Sequence, residues 1–360
     1  MLAEQEKELS LGSEAIGNLK VGKKQWGFYQ IFESSATHKS QTIKKFALTG
    51  NLLDQKNSFA LFLNNSEYPL AIAGNCKIIG NCYMPKLGYK KDKLNGVYFN
   101  GDNLVEGQTF ENTNCPFTID DVQKSTLSDF LLSGNFKSSD SIINLEESLL
   151  EDTVRNSFYT KTLVYYSTSK INLVNSFFGG NVVIVSKNEI EVSNNASLKD
   201  VILMAPIIRI KNGARIIVQA FASDSIILED DVSLNYPSAL GLFCKGASNN
   251  PSCIKLSEND TVVGTVIGFI SNSTILNEVG IIIPSNAVVI GEVYTNGYLD
   301  LQGKVLGTVI TNKFLINSSS SVHENFFYNG IINSKNIPAH FVGSSILKRK
   351  SKMGIIKWLN

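Results

Sequence analysis

From Ile190 to Leu240 an apolar-x-apolar-x-x-x pattern keeps its phase for nine repeats. Its pairs are Ile190/Val192, Ala196/Leu198, Ile202/Met204, Ile208/Ile210, Ala214/Ile216, Ala220/Ala222, Ile226/Leu228, Val232/Leu234 and Ser238/Leu240, only the last being weak. Two apolar residues two apart point to one face of a strand. The residues around them, such as Glu191, Lys199 and Lys211, are polar, so the shared face must point inward. Three hexads make eighteen residues, and polar turn triplets return at that interval: Ser193-Asn194-Asn195, Lys211-Asn212-Gly213 and Glu229-Asp230-Asp231. A short strand and a bend make one side of a triangular coil, and rungs of such a coil stack about 4.8 Å apart. The predicted fold class is mainly β: a single-stranded β-helix (β-solenoid) of about 18 residues per rung, with a strand-rich N-terminal region and a partly helical insertion. One rung cannot bury its apolar side alone, so stability is expected from stacking, for example Val192 on Ile210 on Leu228. Asn212-Gly213 marks a corner that needs positive φ.

Five segments follow. Residues 1–22 read as a flexible or helical lead, and 23–87 as an N-terminal β region and first coil. Strands are expected at 23–29, 45–50 and 59–63, with a turn at Asn64-Asn65-Ser66-Glu67. Hexad pairs then reappear as Leu70/Ile72, Cys76/Ile78 and Cys82/Met84, until Pro85 and Gly88 stop them. Residues 88–157 break the pattern and read as an insertion packed on the coil. Within it, 118–133 is a predicted helix: Asp120 and Asp121 start it, Val122, Leu127, Phe130 and Leu131 form a stripe, and Gly134 ends it. A second short helix is expected over 145–150. Residues 158–335 read as the β-solenoid proper. A long corner loop from Gly241 to Asp260 separates a second regular run, whose pairs include Ile281/Ile283, Ala287/Val289 and Leu299/Leu301. That run is one residue out of phase, and the loop must absorb the slip to keep its core side chains inside. Residues 336–360 read as a basic C-terminal tail, solvated or touching an anionic membrane surface.

The left-handed hexapeptide coil keeps Gly after its main aliphatic, whereas these positions are Ser193, Lys199, Ala205, Lys211 and Ile217, so a right-handed coil is expected. The stretch from Ala287 to Val309, with Ile290-Gly291-Glu292-Val293 and Leu306-Gly307-Thr308-Val309, resembles the bactofilin repeat, which alternates Gly-x-Val with short aliphatic pairs. The resemblance covers about 260–317 well and 158–240 more loosely. It implies a bacterial β-solenoid that polymerises end to end without a nucleotide. Bactofilins are short uninterrupted coils, and this chain adds an aromatic N-terminal region, an insertion and a corner loop.

Charge changes the picture mainly by exclusion. The chain has 33 basic and 32 acidic residues, a balance that argues against a nucleic-acid partner. No eighteen-residue apolar run is present, and the charged opening stretch does not read as a secretory signal. Membrane proximity is then expected through an N-terminal anchor absent from this sequence, or through the basic tail. Of five cysteines, Cys76 and Cys82 read as buried neighbours, and Cys244 and Cys253 bracket a loop that a disulfide would close in an oxidising compartment. No cysteine pair has metal-site spacing. His323 is the one histidine near the coil and reads as a surface residue, and Asp230 and Asp231 read as a solvated corner. No catalytic, cofactor-binding or metal residue is therefore assigned. The aromatics Trp26, Phe28, Tyr29, Tyr98, Phe99, Phe326, Phe327 and Tyr328 are the candidate interaction residues.

Three readings follow. The first is a non-enzymatic structural or interaction protein of a bacterial envelope or cell surface, bound to a protein partner or to itself through its coil ends. The second is a glycan-binding or glycan-cleaving β-helix, which a lateral groove lined by aromatic and acidic residues would favour. The third is a bactofilin-like filament, which carries a cytoplasmic, membrane-associated location with it.

Overall fold

The computed structural model describes residues 18–53, 58–64, 68–113, 115, 118–125, 127, 140–146, 152–244, 252–271, 279–317, 321–349 and 351–360, and the backbone of 5–9. The chain is mainly β, with one large parallel ladder and one antiparallel sheet beside it. Val192 lies on Ile210 and Ile210 on Leu228, as the eighteen-residue spacing requires. Gly213 takes φ +76° at its corner.

Three inward columns run through the ladder. One passes through Ile171, Ile190, Ile208, Ile226, Ile254, Ile281, Leu299 and Phe314. A second passes through Ile216, Leu234, Val262, Val289, Val305, Ile332, Ile78 and Val105. The third is the longest: Ile143, Tyr165, Ile184, Leu203, Ala220, Leu240, Val266, Val293, Val309, Leu61, Cys82 and Thr109. Between its two ends every member is buried. Full burial of each large aliphatic contributes about 1.5–3 kcal/mol, so the columns hold the ladder together.

The order of rungs is not the order of the chain. Leu61–Leu63 lies on Val309–Thr311, Lys77–Ile79 on Ile331–Asn333, and Thr109–Glu111 on Cys82–Met84. The N-terminal strands thus stack beyond the C-terminal ones. The other end of the ladder is Ser141–Asn144 and Thr153–Asn156. Eleven steps of about 4.8 Å separate these ends, or ~53 Å. The segment returning between these ends lies, over residues 118–125, against the side of the ladder through Ile119 and Lys124.

Several sequence expectations need correction. The segment 88–157 is not one inserted block: Val105–Glu106, Thr109–Glu111, Ser141–Asn144 and Thr153–Asn156 are rungs of the ladder. Their side chains are too polar and their strands too short for the hexad to show. The predicted helix is seen at Asp121–Ser125 and at Leu127, and Asp120 caps it by accepting the Gln123 N–H at 2.9 Å. Phe130, Leu131 and Gly134 lie outside the described residues, as do 147–150 of the second helix, whose first two residues form a turn. The lead is not helical over Gln5–Leu9, which pairs antiparallel with 19–23. The corner loop is shorter than expected, because the strand Ser233–Cys244 runs through Gly241 and Cys253–Lys255 is again a rung. The tail is not a free segment: Met353–Leu359 adds to Gln41–Leu52 as a strand, burying Leu359 and leaving Ile355 and Trp358 exposed.

The antiparallel sheet is formed by Gln5–Leu9, Asn18–Trp26, Tyr29–His38, Gln41–Leu52 and the C-terminal strands Val342–Gly343 and Met353–Leu359. It packs one face on the side of the ladder through Trp26, Tyr29, Ile31, Leu48 and Leu359. Trp26 meets Phe158 edge-on at 5.2 Å, and Phe28 meets Phe221 at 4.8 Å. No helix among the described residues is long and apolar enough to cross a membrane.

Candidate functional site

The structure divides the eight aromatic candidates. Trp26, Phe28, Tyr29, Phe326 and Phe327 are buried and serve as packing. Hydrophobic area explains them: they join the sheet to the ladder, or close its interior, as Phe327 does against Phe314 at 4.7 Å. Tyr98 is exposed, while Phe99 and Tyr328 are half-buried. Tyr98 and Phe99 do not form an aromatic platform together. Each lies under a lysine, Lys93 at 5.8 Å and Lys91 at 5.2 Å from the ring centre.

Sequence reading missed an outward column. Ile267, Tyr294, Ile310, Phe62, Tyr83 and Phe110 stack on successive rungs. Phe62 and Tyr83 lie 5.7 Å apart, and Tyr83 and Phe110 stack at 5.2 Å and 27°. Phe110 ends the column at the last rung and is exposed. The signal was present, because each residue follows an inward position of a hexad-like pair. It could be read only with the knowledge that Leu61 follows Val309.

Next to this column runs a polar one. Thr295 lies on Thr311, and Asn64 donates its amide to Asn312 Oδ1 at 3.1 Å. Between both columns and residues 115 and 118–124 of the returning segment lies a lateral groove of about 340 Å³. Phe62, Phe269, Tyr294 and Ile310 form its apolar side, and Asn64, Asn296, Thr311 and Asn312 its polar side. Thr118, Asp121 and Lys124 come from the returning segment. This size and mixture suit a small-molecule or oligomer site. Lys124 pairs with Asp121 at 2.7 Å and sits 4.5 Å from the Phe269 ring centre. The hydrogen bond and charge of Lys124 lower the Asp121 carboxyl. Burial, aided by Cys115, pushes the Tyr294 phenol up to about 12. At neutral pH the groove therefore offers a neutral phenol, amides, hydroxyls and one balanced ion pair.

The charged corners read differently. Lys170, Glu189, Glu191, Arg209, Lys211 and Glu229 form alternating ion pairs up one face, with Lys170–Glu191 and Lys211–Glu229 both at 2.8 Å. Hydrogen bonds to Lys170 and Lys211 hold the Glu191 and Glu229 carboxyls below their usual range. Asp260, fully buried under the Asp230-Asp231 corner, accepts the Val232 N–H at 2.8 Å and the Ser257 N–H at 2.7 Å. Desolvation pushes its carboxyl up to about 7, with Asp230 and Asp231 adding to it and the two N–H donors opposing it. The folded chain thus holds this proton more tightly than the unfolded chain does. Its stabilising contribution is full below about pH 4 and is lost as pH rises through 7. The stability of the wild type relative to Asp260→Asn should therefore fall by up to about 2–3 kcal/mol between pH 5 and pH 8. Urea unfolding of both proteins at the two pH values measures this, and a pH-independent difference would contradict it.

All five cysteines are free, Cys244 and Cys253 included. Burial pushes the Cys76 and Cys82 thiols up to about 12, in keeping with their inward positions. Among the described residues no group of three or more His, Cys, Asp and Glu side chains is placed to hold a metal ion.

No protein family matches the chain, and no curated protein does. Among solved structures, the chain has a distant likeness to the crystal structure of the competence-associated pilin ComZ from Thermus thermophilus. The two are 9% identical over 99% of this chain and 87% of that one, with a TM-score of 0.20, a level of likeness that carries no argument.

Proposed function

We propose that the chain is a β-solenoid scaffold, a non-enzymatic structural or interaction protein of a bacterial envelope or cell-surface assembly. The observation that carries this reading is the inward column from Ile143 to Thr109, which joins N-terminal and C-terminal coils into one stack. A rod closed in this way holds attached elements at fixed places along its side, as a scaffold must. The coil is single-stranded and, by the absence of a regular Gly after its aliphatics, right-handed. Light scattering on a size-exclusion peak, with negative-stain images of the same fraction, tests the reading. Discrete short rods of one mass are expected. Salt-stable filaments would replace it with the bactofilin-like polymer reading, and turnover of a glycan at enzyme-like rates would remove it.

A second reading has its own support. The lateral groove is lined by Phe62, Phe269 and Tyr294 with amides, hydroxyls and Asp121, a combination suited to an uncharged, hydroxyl-rich glycan. Titrating soluble bacterial glycan fragments by calorimetry, against wild type and Tyr294→Ala, tests it. Binding that weakens about tenfold or more in the variant is expected, the range of a central aromatic contact. Equal binding by both proteins, or none by either, would set the groove aside.

A further inference from the structure

The antiparallel sheet has a second face, turned away from the ladder. Directly opposed residues in an antiparallel sheet share a face, and alternate rows share it too. Gln25, Gln30, Thr49 and Ile355 form one row, and Lys23, Phe32, Ala47 and Trp358 the next. Val21, Ser34 and Lys45 form a third, and Leu19, Ala36 and Ile43 a fourth. The rows between them, with Ile31, Leu48, Phe46 and Leu359, face the ladder. Lys357 also belongs to that inner side, where it pairs with Asp200.

Part of this face is covered: Gln25, Ala47 and Thr49 are buried, and Gln25 donates to Gln123 at 3.1 Å and to Ser345 at 3.3 Å. The open remainder breaks the usual rule for a solvated sheet face. Ile43 is 67% exposed, Trp358 63% and Ile355 53%, and these three belong to two adjacent strands. The cations on the same rows are Lys23, Lys45 and, on the first strand, Lys7, and no Asp or Glu stands in any of the four rows. Glu33 is on the inner side and is paired with Lys44 at 2.7 Å. The exposed Lys352 sits beside the same sheet, its carbonyl accepting the Leu52 N–H at 2.8 Å.

We infer that this outer face lies on an anionic lipid surface. Its chemistry matches a bilayer interface on three counts. A tryptophan among aliphatics suits the headgroup boundary, where an indole is half wet and half apolar. Lysines can bury their stems and keep their ammonium groups among phosphates. The absence of carboxylates from these rows removes the repulsion that an anionic surface would otherwise exert. The contact is peripheral, and it turns the side of the rod toward the membrane.

The chain carries its own reporter. It has two tryptophans, and Trp26 is buried, so any change of emission on binding comes from Trp358. The full chain would be mixed with vesicles of phosphatidylcholine alone and with vesicles that also contain phosphatidylglycerol. Expected results are co-sedimentation with the anionic vesicles, a blue shift of emission, and loss of both in the double variant Ile355→Ser, Trp358→Ser. Lys23→Glu with Lys45→Glu should weaken binding at least about 25-fold, from about fivefold for each lysine removed. Circular dichroism and Tm would show that the variants fold. No sedimentation with either vesicle would overturn the inference. So would binding that ignores the lysine and tryptophan changes, or a dimer in solution that these changes dissociate.

Discussion

Gly291→Val is expected to be the most damaging single change outside the apolar columns. Gly264, Gly291 and Gly307 lie on one another in successive rungs, with φ of +152°, +141° and +155°. A Cβ at 291 would meet the Gly264 carbonyl oxygen at 1.9 Å and the Phe341 ring at 2.7 Å. The carbonyl belongs to the ladder and cannot turn aside without losing its place in the stack. Backbone strain at such a φ alone costs on the order of 1–3 kcal/mol, and the clash adds to it. A loss of about 4 kcal/mol or more is expected, with a lower Tm and early urea unfolding. Gly213→Ala is the control. Its φ is +76°, but a Cβ there has open space, so only the left-handed penalty of about 1–2 kcal/mol applies. Equal effects at the two sites would show that the close stacking at 291 is not real. The glycine column also explains the Gly-x-Val pattern: Gly lets the backbone turn against the rung below, and Val266, Val293 and Val309 then point inward.

Arg349→Met should come next. Arg349 and Glu292 form a charge pair on the lateral face, both nearly withdrawn from solvent. Glu292 also accepts the Ser344 N–H at 3.0 Å, the Ser344 hydroxyl at 3.3 Å and the Thr265 hydroxyl at 3.4 Å. The pair therefore fastens the 342–349 segment to the ladder. Removing the guanidinium leaves a buried carboxylate without its cation, which typically costs about 3–5 kcal/mol. Converting both partners, Glu292→Gln with Arg349→Met, should recover part of that loss, because no buried charge is left. Chemical unfolding of the single and double variants measures the coupling. A single variant within about 0.5 kcal/mol of wild type would mean that the pair is solvated.

The ladder was legible where the sequence repeats strictly. At Ile190/Val192, Ile208/Ile210 and Ile226/Leu228 the repeat gave strand phase, inward face and stacking partners, because two apolar residues in six can satisfy only one buried face. It failed at Ile202/Met204: these face the antiparallel sheet while Val201, Leu203 and Ala205 point inward, since register shifts on both sides of this stretch move its phase by one residue and the strand is apolar on both faces. The end rungs were not legible. Thr109–Glu111 is exposed and Thr153–Asn156 carries one buried residue, Val154, so neither has a pattern to read. The stacking of Leu61 on Val309 was also hidden, since periodicity gives the phase of a coil and not the order of distant coils. Aromatics misled for a related reason. Trp26, Phe28 and Tyr29 look like a binding platform in sequence, but large apolar rings are cheapest to place between two sheets. The exposed Trp358 was missed because a short basic end reads as solvated, until Gln41–Leu52 is seen to pair with it.

The joined ladder depends most on the N-terminal strand Leu61–Leu63 lying on Val309–Thr311. The double variant Asn64→Cys, Asn312→Cys tests this directly. These side chains already touch at 3.1 Å on neighbouring rungs, within the reach of a disulfide. After mild oxidation with a small-molecule disulfide, a proteolytic map of the monomer should contain a peptide linking 64 to 312. A folded monomer in which that link never forms, or forms only between molecules, would contradict the joined ladder.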